Sequence, residues 1–187
     1  MEADLQRRLF TADEYHRMAD AGVLREDDRV ELIDGEIVEK TPIGSPHAAC
    51  VDRLNGLLQR LVDVRGIVRV QGPIRLDDYS EPQPDLSILK PRGDFYASAH
   101  PTPRDILLVV EVADSSLRYD RAIKVPLYAR AGIAETWLVD LVSERVEIFA
   151  HPSPLGYQQP RLAGRGERLT PRVLPAIGLL VDDILGR

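Results

Sequence analysis

The chain has 187 residues, one cysteine and a formal net charge of −6 at neutral pH. That length can bury a core without cross-links, and Cys50 alone cannot close an internal disulfide, so a disulfide-scaffolded secreted module is excluded. With 30 acidic against 24 basic residues, the chain is also not one that coats nucleic acid by bulk charge, although a local basic groove needs only a patch.

Residues 1–187 read as one domain suited to a reducing cytoplasm. The start, "MEADLQRRLF", lacks the apolar core of a leader peptide, and no apolar run approaches the roughly 20 residues that span a bilayer. There is no internal repeat and no low-complexity tract.

In chain order, Thr11 with Glu14 three residues on predicts a capping box opening a short helix to about residue 20. "RVELIDGEIVEK" (29–40) is two apolar-rich runs around Asp34-Gly35, the chemistry of a tight hairpin. After the loop "TPIGSP", Val51, Leu54, Leu57, Leu58, Leu61 and Val62 recur at helical spacing until Gly66. The period then shortens. "IVRVQ", "PIRLD" and "PDLSILK" are strand candidates, the last opened by Pro84 where a strand accepts a proline. Residues 94–105 read as a loop and 106–113, "ILLVVEVA", as a strand buried on both faces.

"YDRAIKVPLYARAG" (119–132) predicts a helix stopped at Gly132, with Pro126 kinking or splitting it for want of an N–H. "AETWLVD" and "ERVEIFA" predict a strand pair, residues 151–166 a long loop, and "VLPAIGLLVDDIL" a segment folding back on the core. This order points to an α/β, or mixed α+β, domain with a central mixed sheet flanked by helices, and does not fit a four-helix or all-β chain.

Within "ILLVVEVAD" one residue is out of place. Glu111 interrupts an apolar strand, and a lone buried carboxylate costs several kcal/mol unless a proton, a cation or a metal compensates it. Asp85 opens "PDLSILK" and Glu31 sits in "RVELID", so three acids on separate strand-like segments can converge. Hard oxygen ligands of this kind suit Mg²⁺ or Mn²⁺. Two basic clusters stand out, Arg60/Arg65/Arg69/Arg75 and Arg118/Arg121/Lys124/Arg130, each a solvated face or a ligand patch. Trp137, Tyr128 and Cys50 read as core. No Gly-rich phosphate loop and no Cys/His zinc spacing is present.

The ordered set "RVELIDGEIVEK", His47, "PQPDLSILK", "LLVVEVADSS", "YDRAIKVPLYARAGI" and "ETWLVD" resembles Uma2-like (DUF820) proteins, of the restriction-endonuclease-like PD-(D/E)xK superfamily. The resemblance spans about residues 10–145. It implies a divalent-metal-dependent endonuclease core acting on nucleic acid, with DNA the expected substrate and a homodimer as the expected assembly. Asp85 and Glu111 match the metal-holding acids of that fold, and Glu31 the acid on an earlier element.

The lysine expected two residues after the Glu is here Ala113. The resemblance points to Lys124 as its replacement from the next helix, making Asp85, Glu111 and Lys124 the catalytic set. Arg118 and Arg121 are candidates for flanking phosphates. His47, just after Pro46, is a candidate for a phosphate or the metal shell, or else caps and packs its helix. Where the family reads Ser-Pro-Ser after the Glu strand, this chain has Asp114-Ser115-Ser116. The missing lysine and the acidic charge keep two other readings open: a catalytically inactive nucleic-acid-binding or scaffold protein on the same fold, and a metal-dependent hydrolase of another phosphate ester.

Overall fold

The computed structural model of the chain describes residues 7–25 and 27–186. Most of the N-terminal stretch inspected for a leader lies outside the described residues. Thr11 caps helix α1 (Ala12–Asp20) as its sequence predicts: its hydroxyl accepts the Glu14 N–H at 3.2 Å, and the Glu14 carboxylate accepts the Thr11 N–H at 3.0 Å. Strands β1 (Val30–Ile33) and β2 (Glu36–Glu39) pair antiparallel around Asp34 and Gly35. Both turn residues have positive φ, 48° and 80°, as a two-residue hairpin turn of this hand requires. The hairpin forms a sheet of its own beside the main one.

Helix α2 (Ser45–Val62) follows, with Pro46 in its first turn where no N–H is missed. The central sheet then assembles from β3 (Ile67–Val70), β4 (Leu86–Leu89), β5 (Ile106–Ala113), β6 (Glu135–Asp140), β7 (Arg145–Ala150) and β8 (Arg161–Gly164), in that spatial order. All neighbours are antiparallel except β5 and β6, which run parallel. Such a pair needs a crossover, supplied by α3 (Leu117–Tyr119), a π-helical turn at Asp120–Lys124 and α4 (Val125–Arg130). Short strands β9 (Arg168–Leu169) and β10 (Leu179–Leu180) and helix α5 (Val181–Leu185) complete the described chain.

Period-two alternation sorts the sheet residues. Leu86, Ile88, Leu108, Val110, Val112, Trp137 and Val139 face α2, packing on Cys50, Val51, Leu54, Leu58 and Val62. The C-terminal residues Leu174, Ile177, Leu179, Val181 and Ile184 join this cluster, so the last apolar segment does fold back. On the opposite face Leu89, Ile106 and Val109 pack on Leu127, Tyr128 and Ile133 around α4.

Three expectations change. "PIRLD" is not a strand: Ile74 and Leu76 are buried, but their N–H groups bond the carbonyls of Pro82 and Ser80, folding the segment on the chain just after it. Residues 151–166 are not all loop, because β8 lies within them and pairs with β7. The predicted helix over 119–132 starts at Leu117 and is α, then π, then α. The Val125 N–H reaches back five residues to the Asp120 carbonyl, a widened turn immediately ahead of Pro126. Its end is as predicted. Gly132, at φ 80°, lets the Ile133 N–H bond the Tyr128 carbonyl and its own N–H bond Ala129, closing the helix in a Schellman motif.

Candidate active site

Register places the two acids. Leu86 pairs with Val110 and Ser87 with Val109, so one step further sets Asp85 opposite Glu111 on the same face, the face turned toward α4. The Asp85 N–H lies 3.3 Å from Glu111 Oε2. Asp85 Oδ2 accepts from the Val112 N–H at 2.9 Å and lies 3.0 Å from His47 Nε2. The crossover carries Lys124 over the end of β5. Its Nζ stands 2.7 Å from Glu111 Oε1 and 3.4 Å from Glu31 Oε2. Tyr128, one turn on, donates its hydroxyl to Glu111 Oε1 at 2.5 Å. The burial problem of Glu111 is therefore met by a buried ammonium and a buried phenol.

Glu31, His47, Asp85, Glu111 and Lys124 line one cleft of about 300 Å³, between the hairpin, the start of α2 and the α3–π segment. Six carboxylates face it, those of Glu31, Glu39, Asp85, Glu111, Asp114 and Asp120, against three permanent cations, Arg29, Lys40 and Lys124. Burial pushes the Glu111 carboxyl up to about 7 in spite of Lys124. It raises Asp120 as well, against the hydrogen bond from Ser116. Burial also opposes charge on Lys124, but Glu111, Glu31 and Asp120 outweigh it and hold its pKa above the ordinary lysine value. For Asp85 the His47 hydrogen bond and the Val112 N–H overcome burial and keep the carboxyl below its usual value, and the same hydrogen bond raises His47.

Of the candidates read from sequence, Glu31, His47, Asp85, Glu111 and Lys124 meet in the cleft. Glu31 arrives differently from expectation. Its Oε2 accepts the Gln83 N–H at 3.0 Å and faces Lys124, so the ammonium stands between it and Glu111. Among the described residues Glu31, Asp85 and Glu111 do not form a group whose ligand atoms all lie within 4.8 Å of one another. Arg121 does not line the cleft. Glu147 on β7 holds it by two contacts of 3.1 and 2.6 Å. Arg118 is exposed and also outside the lining. Nor is the second basic cluster one face, since Arg130 pairs with Asp34 and Lys124 is buried.

The sequence reading missed Lys40, Asp120 and the role of Tyr128. Lys40 lies just past the register that pairs Glu31 with Val38, and its Nζ donates to the Gln83 carbonyl at 3.0 Å. Burial, then the neighbouring Lys124, lowers its pKa. Hairpin register alone places Lys40 beside Glu31. Asp120, Lys124 and Tyr128 sit at intervals of four, the spacing of one helix face. Tyr119 also lines the cleft, its buried hydroxyl without a partner among the described residues.

A mixed six-stranded sheet flanked by helices, with a Pro-Asp and a strand Glu side by side on one face, defines a protein of the restriction-endonuclease-like fold. The chain matches the family model Uma2, described as "Putative restriction endonuclease", over residues 12–182, and it belongs to that family. Among solved structures it is similar to "a putative nuclease belonging to DUF820 from Anabaena variabilis ATCC 29413", with a TM-score of 0.72 at 15% identity over 94% of this chain and 97% of that one. The type IIG restriction endonuclease BpuSI gives a TM-score of 0.40 at 20% identity, over 65% of this chain and 14% of that one, too slight a likeness to carry weight. No curated protein matches the chain. No helix among the described residues is long and apolar enough to cross a membrane.

Proposed function

We propose that the protein is a divalent-metal-dependent DNA endonuclease, hydrolysing a phosphodiester to a phosphomonoester and an alcohol. The observation that carries this reading is the pairing of Asp85, just ahead of β4, with Glu111 on β5, with Lys124 Nζ 2.7 Å from Glu111. The donor set fits Mg²⁺ or Mn²⁺, which bind through one or two carboxylates and keep several waters. Asp85 and Glu111 would hold the ion, which when bound would supply Lewis-acid charge and a water of lowered pKa.

The protein's own groups do the rest. Lys124, charged and fixed between Glu31 and Glu111, directs its ammonium at the attacking water or at the charge developing on the phosphoryl oxygens. Glu31 anchors that lysine from the side away from Glu111. His47 and the Val112 N–H orient Asp85. Lys40 is a second cation in the cleft for a phosphate oxygen, and Arg118 is free to meet a flanking phosphate outside it.

A second reading has one observation in its favour. With Ala113 at the usual lysine position, Lys124 forms a closed ion pair with Glu111, an arrangement that also suits a catalytically silent nucleic-acid-binding protein on this fold. One set of assays separates them. With Mn²⁺ and plasmid the wild type should cleave, and Glu111→Gln should lose cleavage together with the part of the calorimetric Mn²⁺ heat that comes from the cleft. Lys124→Ala should keep Mn²⁺ binding while cleaving on the order of 10²-fold more slowly, as expected of a group acting on the transition state. A wild type that cleaves no DNA with either ion would favour the silent protein. Full cleavage by Lys124→Ala would remove the lysine from the mechanism.

A further inference from the structure

Away from the cleft, three residues far apart in sequence bring metal-ligating atoms together. His16 on α1, Glu81 ahead of β4 and His100 in the loop before β5 have ligand atoms all within 4.8 Å of one another. His16 Nε2 is 2.8 Å from Glu81 Oε1 and His100 Nε2 is 3.9 Å from the same oxygen. The two imidazoles meet edge to face, with ring centroids 5.9 Å apart.

Glu81 is the unusual member. Its side chain is 3% exposed, and its second oxygen, Oε2, is buried with no hydrogen-bond partner among the described residues. An unsatisfied buried oxygen of a carboxylate is costly, and natural folds keep one where something else satisfies it. Arg75 lines a surface hollow together with His16 and His100, but its guanidinium is committed to Asp13 and Asp78.

We propose that His16, Glu81 and His100 form a site for a divalent transition ion of the Zn²⁺ class. Two imidazoles and one carboxylate are the ligands such ions prefer, whereas Mg²⁺ and Ca²⁺ take oxygen sets. Around an ion with bonds of about 2.0–2.2 Å, tetrahedral ligand atoms sit about 3.3 Å apart. Reaching that spacing means opening the 2.8 Å His16–Glu81 contact and closing the 3.9 Å His100–Glu81 gap by about half an ångström each, within reach of side-chain rotations. His16 and His100, 40% and 38% exposed, are free to make them, and solvent reaches the fourth position. The site staples α1 and the 94–105 loop to the segment leading into Asp85. The Glu81 N–H already bonds the Leu32 carbonyl at 2.8 Å, so the staple also fixes the strand that carries Glu31. The site stands independently of the nuclease reading.

Co²⁺ is the probe, because its visible d–d bands are intense in four- or five-coordinate nitrogen–oxygen sites and faint in six-coordinate oxygen sites. The titration is run on Glu111→Gln protein, so that the cleft does not compete. One equivalent of Co²⁺ should give intense bands, Zn²⁺ should abolish them by displacement, and Zn²⁺ should raise the melting temperature. His100→Ala should weaken Co²⁺ binding by about 100-fold or more, since even outer-shell partners of metal ligands are worth 10- to 100-fold. This variant tests the ligand without risking the fold, because His100 is beyond hydrogen-bond distance of Glu81. In EDTA it should melt with its parent. Absence of bands and of a Zn²⁺ shift in the parent overturns the proposal, as do bands that persist in His100→Ala.

Discussion

Glu111 sits fully buried between one cation and one hydroxyl, and burial still raises its carboxyl to about 7. A carboxyl with a raised folded-state pKa binds its proton more tightly folded than unfolded. Its contribution to stability is therefore complete below the ordinary value of 4.5 and is lost as pH rises through about 7. Across that window the loss is on the order of 3 kcal/mol. Asp120 and His47 are raised too and slope in the same direction, so the contribution of Glu111 is isolated by difference. Glu111→Gln keeps an amide oxygen that accepts from Lys124 and Tyr128, so the fold should survive. Chemical denaturation of both proteins from about pH 4.5 to 8 in EDTA should show a shallower decline for the variant, and a variant as stable as wild type or more so at neutral pH. Parallel curves would mean that Glu111 does not carry this charge cost.

The crossover between β5 and β6 is where sequence and local geometry part company. Pro126 forecasts a break, and the chain absorbs it by widening the turn at Asp120–Lys124, ahead of a ring that a regular α-turn would crowd. A π-turn holds one residue more than an α-turn. Downstream, Val125, Leu127 and Tyr128 are locked in core clusters. Deleting exposed Ala122 should therefore close the turn and swing the upstream side by about 100°, one residue of helical rotation. That motion takes Arg121 off Glu147 and moves Ser116, Tyr119 and Asp120 in the cleft wall. The expected result is retained far-UV helicity, a lowered melting temperature from the lost Arg121–Glu147 pair, and Mn²⁺-dependent plasmid cleavage reduced on the order of 10²-fold, as angstrom-scale misplacement commonly produces. Cleavage at the wild-type rate would show that the widened turn serves only to house Pro126.

Across the whole molecule, what was legible in the sequence is what local periodicity dictates. The capped first helix, the Asp34-Gly35 hairpin, α2 and the separate strands β4 and β5 follow from caps, turn residues and periods, whereas the β4–β5 register that sets Asp85 and Glu111 on one face does not. What was not legible depends on distant partners. The β8 edge strand exists because β7 offers it hydrogen bonds, and Glu81 meets His16 and His100 from 65 and 19 residues away. The fate of Arg121 was set by Glu147, which no spacing rule connects to it. Long-range charge is the remaining consequence. A chain of net charge −6, with six carboxylates and three permanent cations around its cleft, repels a polyanion until some of that negative charge is neutralised. If the nuclease reading holds, duplex DNA should bind weakly in EDTA and at least tenfold more tightly with Ca²⁺, which occupies oxygen sites without supporting rapid hydrolysis. Few phosphates are neutralised by Lys40, Lys124 and Arg118, so the log–log salt dependence in Ca²⁺ should be shallow, with a slope no steeper than about −3. Fluorescence anisotropy of a labelled duplex measures both quantities. Tight binding in EDTA with a steep salt slope would point instead to a basic surface elsewhere on the chain as the place where DNA docks.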